Sequence, residues 1–185
     1  MTVSVAIDPA IIVKMRKKAE EVCEQFSNRV GVYGHNKVEQ QVSGWMGEYA
    51  VRVLYRQGGV QAHQNINDKN APDLTIPAHS TLQESFETRQ EEVKSWKSGF
   101  SWNEYGGTCT EYHATQYARK ERDKVWFCEI DREQNIVLVH GYASPAEILA
   151  SDIRITSSGA NHQVEVMHRV SEAMSWVEED KGGWF

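Results

Sequence analysis

The chain has 185 residues, of which 40% are hydrophobic and 25% charged, and its net charge of −6 is ordinary for one globular domain. No apolar run approaches the roughly 18 residues that cross a bilayer, and the N-terminus lacks the segments of a secretory signal. We therefore expect a cytoplasmic protein without membrane contact. Three widely spaced cysteines argue against a disulfide framework, and the acidic charge argues against a strongly basic nucleic-acid-binding protein.

Hydrophobic periodicity predicts two helices in the N-terminal part of the chain. Asp8 and Pro9 have the pattern of a helix start, an N-cap acceptor followed by proline, and helically spaced apolar residues continue to about Ser27. A second helix is predicted from position 37 to Gln57, where two glycines end it.

The second helix contains two glycines, which are poor helix formers in mid-helix. We interpret Gly44 and Gly47 as sites where this helix approaches a sheet or a ligand closely, with Glu48 directed at it. The alternative for Glu48 is an exposed ion pair with Arg52, four residues later.

The rest of the chain alternates between predicted strands and helices. The strands are expected at 60–64, 73–76, 90–96, 124–130 and 136–141, with a closing pair at 153–156 and 164–166. The remaining segments are expected to be a loop at 97–108, a helix at 110–121, a capping-box helix opened by Ser144 and Glu147, and a terminal helix ending near 177.

This order predicts an α/β fold in which a mixed central sheet lies between helical layers. We expect a single domain over 1–185, with an N-terminal helix in 1–30, a core in 36–142, and C-terminal strands with a helix in 143–185.

Two neighbouring strands carry the residues most suggestive of chemistry. Asp73 opens one strand, and Glu92 and Lys94 share one face of the next because side chains alternate along a strand. Two carboxylates and an ammonium are then expected to converge. Glu91 is the rival acid, but alternation directs it away from Lys94. The structural alternative is a pair of strands with capped or salt-bridged carboxylates.

This group of residues suits a divalent metal beside a phosphodiester. Mg²⁺ prefers oxygen ligands and is usually held by one or two carboxylates with waters and substrate phosphate. Asp73 and Glu92 are the predicted ligands, with the Val93 carbonyl as a third, and Mn²⁺ is a possible substitute. Lys94 is expected to orient the attacking water or stabilise phosphate charge, and Glu48 to assist from the helix.

The pattern resembles the PD-(D/E)xK nuclease superfamily, which includes many restriction endonucleases. Pro72-Asp73 is similar to its first half, Glu92-Val93-Lys94 to its second, and the Glu48 helix to its preceding helix. The resemblance spans about 44–139. It implies a three-layer α/β/α restriction-endonuclease-like core and a DNA endonuclease that depends on a divalent metal, of restriction or phage DNA-processing type.

The helix after the motif departs from one branch of that superfamily. RecB-type exonucleases carry Gln-x-x-x-Tyr there, whereas here Lys120 stands four residues after Gln116, which favours an endonuclease. Five residues on or near this helix are candidates for nucleic-acid contact, the alternative being an ordinary polar helix face. They are Lys97, His113, Gln116, Arg119 and Lys120.

Three further questions stay open at the level of sequence. Cutting both strands of a duplex usually needs two active sites, so a homodimer is plausible, with the N-terminal helix as one candidate interface. The domain is alternatively a non-catalytic nucleic-acid-binding or assembly module that keeps the nuclease fold. No residue pattern separates DNA from RNA as the substrate.

Overall fold

The computed structural model describes residues 2–25, 37–65, 71–77, 88–98, 107–156, 159–164 and 168–172. Four helices are defined within these ranges: α1 (Pro9–Gln25), α2 (Lys37–Gln57), α3 (Glu111–Arg119) and α4 (Pro145–Ala150). The strands are β1 (Val3–Ala6), β2 (His63–Gln64), β3 (Leu74–Ile76), β4 (Arg89–Lys97), β5 (Gly107–Thr110), β6 (Lys124–Asp131), β7 (Ile136–Ala143), β8 (Asp152–Thr156) and β9 (Gly159–Val164).

The strands form two sheets. The larger has the order β1-β7-β6-β4-β3-β2, in which β4 and β6 are parallel and the other neighbours are antiparallel. The smaller is antiparallel, with the order β5-β9-β8. The prediction of an α/β fold with a mixed central sheet is therefore confirmed.

Hydrophobic clusters cover both faces of β6, as side-chain alternation requires. Trp126 and Cys128 point into a cluster that contains residues of α1 and α2, whereas Val125 and Phe127 point into a second cluster with residues of α3, α4 and the smaller sheet. The central strands are thus buried from both sides. Within the described residues, no helix combines the length and apolarity that crossing a membrane requires.

Several predicted elements are found where the sequence placed them. Helix α1 begins at Pro9 and α2 ends at Gln57; the expected end of the first helix at 27 lies outside the described residues. The capping box is confirmed, because the Glu147 N–H donates to Ser144 Oγ at 3.2 Å and Glu147 Oε2 accepts from the Ser144 N–H at 2.7 Å. It fixes the first turn of α4.

The structure corrects three other boundaries. The strand expected at 60–64 is only His63–Gln64, because the Val60 N–H donates to the Tyr55 carbonyl at 2.9 Å and so completes the end of α2. Segment 97–108 is not a loop throughout, because β5 begins at Gly107 and pairs with β9. The closing strand pair is Asp152–Thr156 with Gly159–Val164, whereas 165–167 and most of the expected terminal helix lie outside the described residues.

Candidate functional site

The β3–β4 pairing brings Asp73 to the middle of β4. Leu74 is the register partner of Glu91 in this antiparallel pair, so Asp73, the residue before Leu74, lies beside the next positions of β4. One oxygen of the Asp73 carboxylate (Oδ2) accepts a hydrogen bond from the Val93 N–H at 2.8 Å. The backbone of β4 therefore holds this carboxylate in place.

Asp73, Glu92 and Lys94 come together as the alternation along β4 predicts. The charges of Asp73 and Glu92 act on each other, and both act on Lys94. The Lys94 ammonium lies 5.4 Å from the centroid of the Tyr117 ring, which is buried in α3. Burial lowers the pKa of Lys94, and the charges of Cys109, Asp73 and Glu92 partly oppose that change.

Glu48 reaches the same group from α2, because Gly47 lets the helix approach β4 closely. A Cβ atom at position 47 would lie 2.1 Å from Ser95 Oγ, which is closer than packed atoms allow, and 3.2 Å from Val93 Cγ1, which is a tight contact. The Glu48 side chain is buried, and its Oε2 accepts from Gln64 Nε2 at 2.6 Å. The prediction of a close helix approach is confirmed at Gly47.

The three carboxylates repel one another in a poorly hydrated space. Burial, followed by the charge of Asp73, raises the pKa of Glu48 to about 8. Burial, followed by the charge of Glu92, raises the pKa of Asp73 to about 7. Carboxylates that share a site hold protons above their usual range, and a bound cation would relieve the same repulsion.

This donor set fits a magnesium-type site completed by water and substrate. Among the described residues, no three His, Cys, Asp or Glu side chains are grouped so as to hold a metal ion by themselves. Mg²⁺, however, is commonly held by one or two carboxylates, with waters and substrate phosphate supplying the remaining oxygens. Asp73 and Glu92, whose charges act on each other, are the two carboxylates that would hold such an ion, and the Val93 carbonyl belongs to the residue whose N–H already binds Asp73.

The structure adds Arg122, a site residue that sequence reasoning missed. Its guanidinium is buried, and Nε donates to Glu92 Oε1 at 2.7 Å. The same guanidinium also contacts the Gln90 side-chain oxygen. Arg122 thereby holds one oxygen of Glu92 and provides an internal positive charge. It follows α3 in a turn rich in charged residues, and no local signal connects it to a glutamate 30 residues earlier.

The five candidate contact residues divide into two groups. Lys97, Arg119 and Lys120 are exposed, at the end of β4 and at the end of α3. His113 and Gln116 are partly buried and bind within the protein. His113 Nδ1 lies 2.7 Å from Thr110 Oγ1, and Gln116 Nε2 donates to the Tyr112 hydroxyl at 2.6 Å. Lys120 is the C-cap of α3, so that helix is shorter than the predicted 110–121.

Glu91 lies on the opposite face of β4, as alternation predicts. Both of its carboxylate oxygens lie 2.8 Å from the Tyr55 hydroxyl, and Oε2 accepts from Trp126 Nε1 at 2.6 Å. Lys124 Nζ lies 3.8 Å from Oε1. Glu91 is completely buried in this network, which links β4 to α2 and β6.

Neither a search of protein-family models nor a search of curated protein sequences finds a match for this chain.

Proposed function

We propose that this chain is a divalent-metal-dependent DNA endonuclease of the PD-(D/E)xK type. The observation that carries the proposal is the grouping of Asp73, Glu92 and Lys94, joined by Glu48 from a neighbouring helix. A purely structural site would be expected to pair each buried carboxylate with a cation. Here Glu92 is paired with Arg122. Its charge nevertheless also acts on Asp73 and Glu48, an arrangement suited to a further positive charge.

Asp73 and Glu92 would hold the metal, with the Val93 carbonyl as a further oxygen donor. A bound Mg²⁺ or Mn²⁺ supplies Lewis-acid neutralisation of phosphate charge and a more acidic water. Asp73 is oriented by the Val93 N–H and Glu92 by Arg122, so both carboxylates are fixed before substrate arrives. Such preorganisation lowers the cost of reaching the transition state.

Lys94 and Glu48 act on the water and the phosphate. The Lys94 ammonium, on the same face of β4 as Glu92, donates hydrogen bonds that orient the attacking water or stabilise charge on the phosphate oxygens. The Glu48 carboxyl accepts a hydrogen bond from Gln64, and the charge of Asp73 acts on it. In this role it would anchor a second water or assist in metal binding.

The arrangement of layers supports this assignment. Residues of α1 and α2 pack against one face of the central strands, and residues of α3 and α4 against the other. This order fits the three-layer α/β/α restriction-endonuclease-like core that we propose for the chain, with Asp73 directly before β3 and Glu92 and Lys94 on β4.

The test is nicking and linearisation of supercoiled plasmid in Mg²⁺, Mn²⁺ or EDTA. We expect cleavage by the wild type that requires metal and is abolished by Asp73→Ala or Lys94→Ala. The matched controls are Asp152→Ala and Lys14→Ala, which remove exposed charges of the same types outside the site and should cut as the wild type does. Absence of cleavage of plasmid, single strands, branched DNA and RNA with either metal would refute the proposal.

A second candidate function is a non-catalytic nucleic-acid-binding module with the same fold. The Arg122–Glu92 ion pair favours it, because a built-in guanidinium already offsets part of the negative charge. Titration calorimetry with Mn²⁺ separates the two candidates. Binding that Asp73→Ala removes, together with cleavage, supports the enzyme, whereas nucleic-acid binding that neither metal nor Asp73→Ala alters supports the module.

A further inference from the structure

A cleft lined by basic and amide side chains lies at the end of α2, beside the candidate site. Its volume is about 620 Å³, within the range of about 300–1,000 Å³ that ligand sites occupy. The side chains that give it polarity are Arg52, Arg56, Gln61, His63 and Gln64. The described residues that line it include no carboxylate, although the chain as a whole carries a net charge of −6.

The cleft and the candidate site share a wall. Gln64 lines the cleft and also donates to Glu48 at 2.6 Å. In the β2–β3 pair, Gln64 faces Leu74, the residue after Asp73, and the N–H of Asn65 donates to the Asp73 carbonyl at 3.0 Å. A chain molecule bound at Asp73 would therefore lie beside the cleft.

The two arginines are suited to binding anions. Arg52 Nη1 donates to Gln64 Oε1 at 3.2 Å, and its guanidinium carbon lies 5.7 Å from the centroid of the Tyr49 ring, so the group is oriented. Arg56 is one turn further along α2 and is exposed. Among the described residues, neither guanidinium forms an ion pair with a carboxylate, although the charge of Arg52 acts on Glu48. Guanidinium groups bind phosphate oxygens through paired N–H donors.

We propose that this cleft binds the phosphodiester backbone of the nucleic-acid strand next to the phosphate that is cut. Arg56 contacts one phosphate, Arg52 contacts the phosphate nearer to Asp73, and Gln61 and His63 line the path of the sugars. The inference rests on the proposed function for its substrate. It also gives the path of the bound strand, which would run from the carboxylates along the C-terminal end of α2 and the short β2 edge of the sheet.

The cleft is tested by binding, measured separately from cleavage. Fluorescein-labelled single-stranded and duplex oligonucleotides of one sequence are titrated with the whole chain in EDTA, and the anisotropy is followed over a series of salt concentrations. Arg56→Gln removes one phosphate contact and should weaken binding while lowering the slope of log affinity against log salt by about 0.7 to 0.9. Gln61→Glu adds a negative charge to the cleft and should also weaken binding.

Arg154→Gln is the matched control. It makes the same substitution on β8, in the smaller sheet, which contributes no residue to the cleft. We expect this variant to keep the affinity and the salt slope of the wild type. Thermal unfolding of all three variants checks that each of them folds.

The outcomes separate the cleft from the proposed function. Weaker binding by Arg56→Gln and Gln61→Glu but not by Arg154→Gln supports the cleft, even if the wild type cleaves nothing. If Arg56→Gln and Arg154→Gln bind alike while the wild type cleaves plasmid, the cleft proposal is wrong and the nuclease proposal stands. If the wild type binds no oligonucleotide, the proposal that this cleft binds a nucleic-acid strand is also wrong.

Discussion

Two consecutive glutamates of β4 lie in opposite kinds of environment. Glu91 is surrounded by donors, namely the Tyr55 hydroxyl, the Trp126 indole N–H and the Lys124 ammonium. Glu92 has Arg122 on one oxygen but also shares its space with two other carboxylates. Both residues are buried, so burial alone does not distinguish a structural acid from a candidate metal ligand.

The difference lies in how completely each acid is compensated. The Glu91 network joins α2, β4 and β6 and leaves no need for an external group. Burial raises the pKa of Glu91 as well. At Glu48 and Asp73, burial raises the pKa first, and the charges of neighbouring carboxylates raise it further. Incomplete compensation in a preformed site is typical of residues that act on a ligand.

The largest effect on stability is expected at Glu91. Glu91→Ala removes the acceptor for a buried hydroxyl and a buried indole N–H, and should lower the free energy of unfolding by about 3–5 kcal/mol. Urea unfolding followed by tryptophan fluorescence measures it, with the exposed Glu133→Ala as the control. A loss below about 1 kcal/mol would show that Glu91 does not hold the three elements together.

The close approach of α2 to β4 is tested by replacing each of two glycines of α2 with alanine. Gly47→Ala would place a methyl group 2.1 Å from Ser95 Oγ and should destabilise the fold by about 1–3 kcal/mol. Gly44→Ala is the matched control, because its nearest neighbour is Glu48 Oε1 at 4.0 Å, and alanine should stabilise the helix by up to about 1 kcal/mol. Ser95→Gly added to Gly47→Ala should restore part of the loss. Equal effects of the two alanines would contradict the packing described.

Removing the charge of one of the three neighbouring carboxylates should increase the stability of the fold, whereas Glu91→Ala and Gly47→Ala should lower it. Asp73→Asn keeps an acceptor for the Val93 N–H but removes a negative charge, so in EDTA near pH 8 it should stabilise the fold by about 1–2 kcal/mol. The same variant should not cleave plasmid. Destabilisation by Asp73→Asn would indicate that the repulsion at this site is already offset.

The smallest effect is expected at His113, near Lys94. Burial, followed by the Lys94 charge, lowers its pKa from 6.5 to about 4, so the folded protein binds fewer protons than the unfolded chain between these values. Its contribution to stability is complete above pH 6.5 and is lost as the pH falls towards 4, by about 1 kcal/mol or less after solvent screening. NMR titration of the imidazole should show its pKa rising in Lys94→Met. An unchanged pKa would mean that the Lys94 charge does not reach it.

Local patterns predicted the parts of the fold that local interactions determine. The start of α1, the extent of α2, the Ser144–Glu147 capping box and the opposed directions of Glu91 and Glu92 all follow from spacing within one element. Strand alternation was also sufficient to place Lys94 beside Glu92.

Pairing between distant segments was not predictable in the same way. The short strands β1 and β5 carry little intrinsic signal, and they exist because β7 and β9 supply their hydrogen bonds. Arg122 reaches Glu92 only because β4 and β6 run in parallel, with Val125 opposite Glu92. Such contacts depend on the assembled sheet, which a single sequence does not display.

The two buried thiols make it possible to ask whether the two sides of the sheet open together. Cys128 belongs to the cluster with α1 and α2, and Cys109 to the cluster with α3 and α4. Burial raises the pKa of both thiols, so alkylation requires local or global opening. In variants that retain one of these cysteines, equal alkylation rates would indicate one cooperative unit. Faster alkylation of Cys109 would mean that the cluster with α3 and α4, on the Lys94 side of the sheet, opens locally while the cluster with α1 and α2 stays closed.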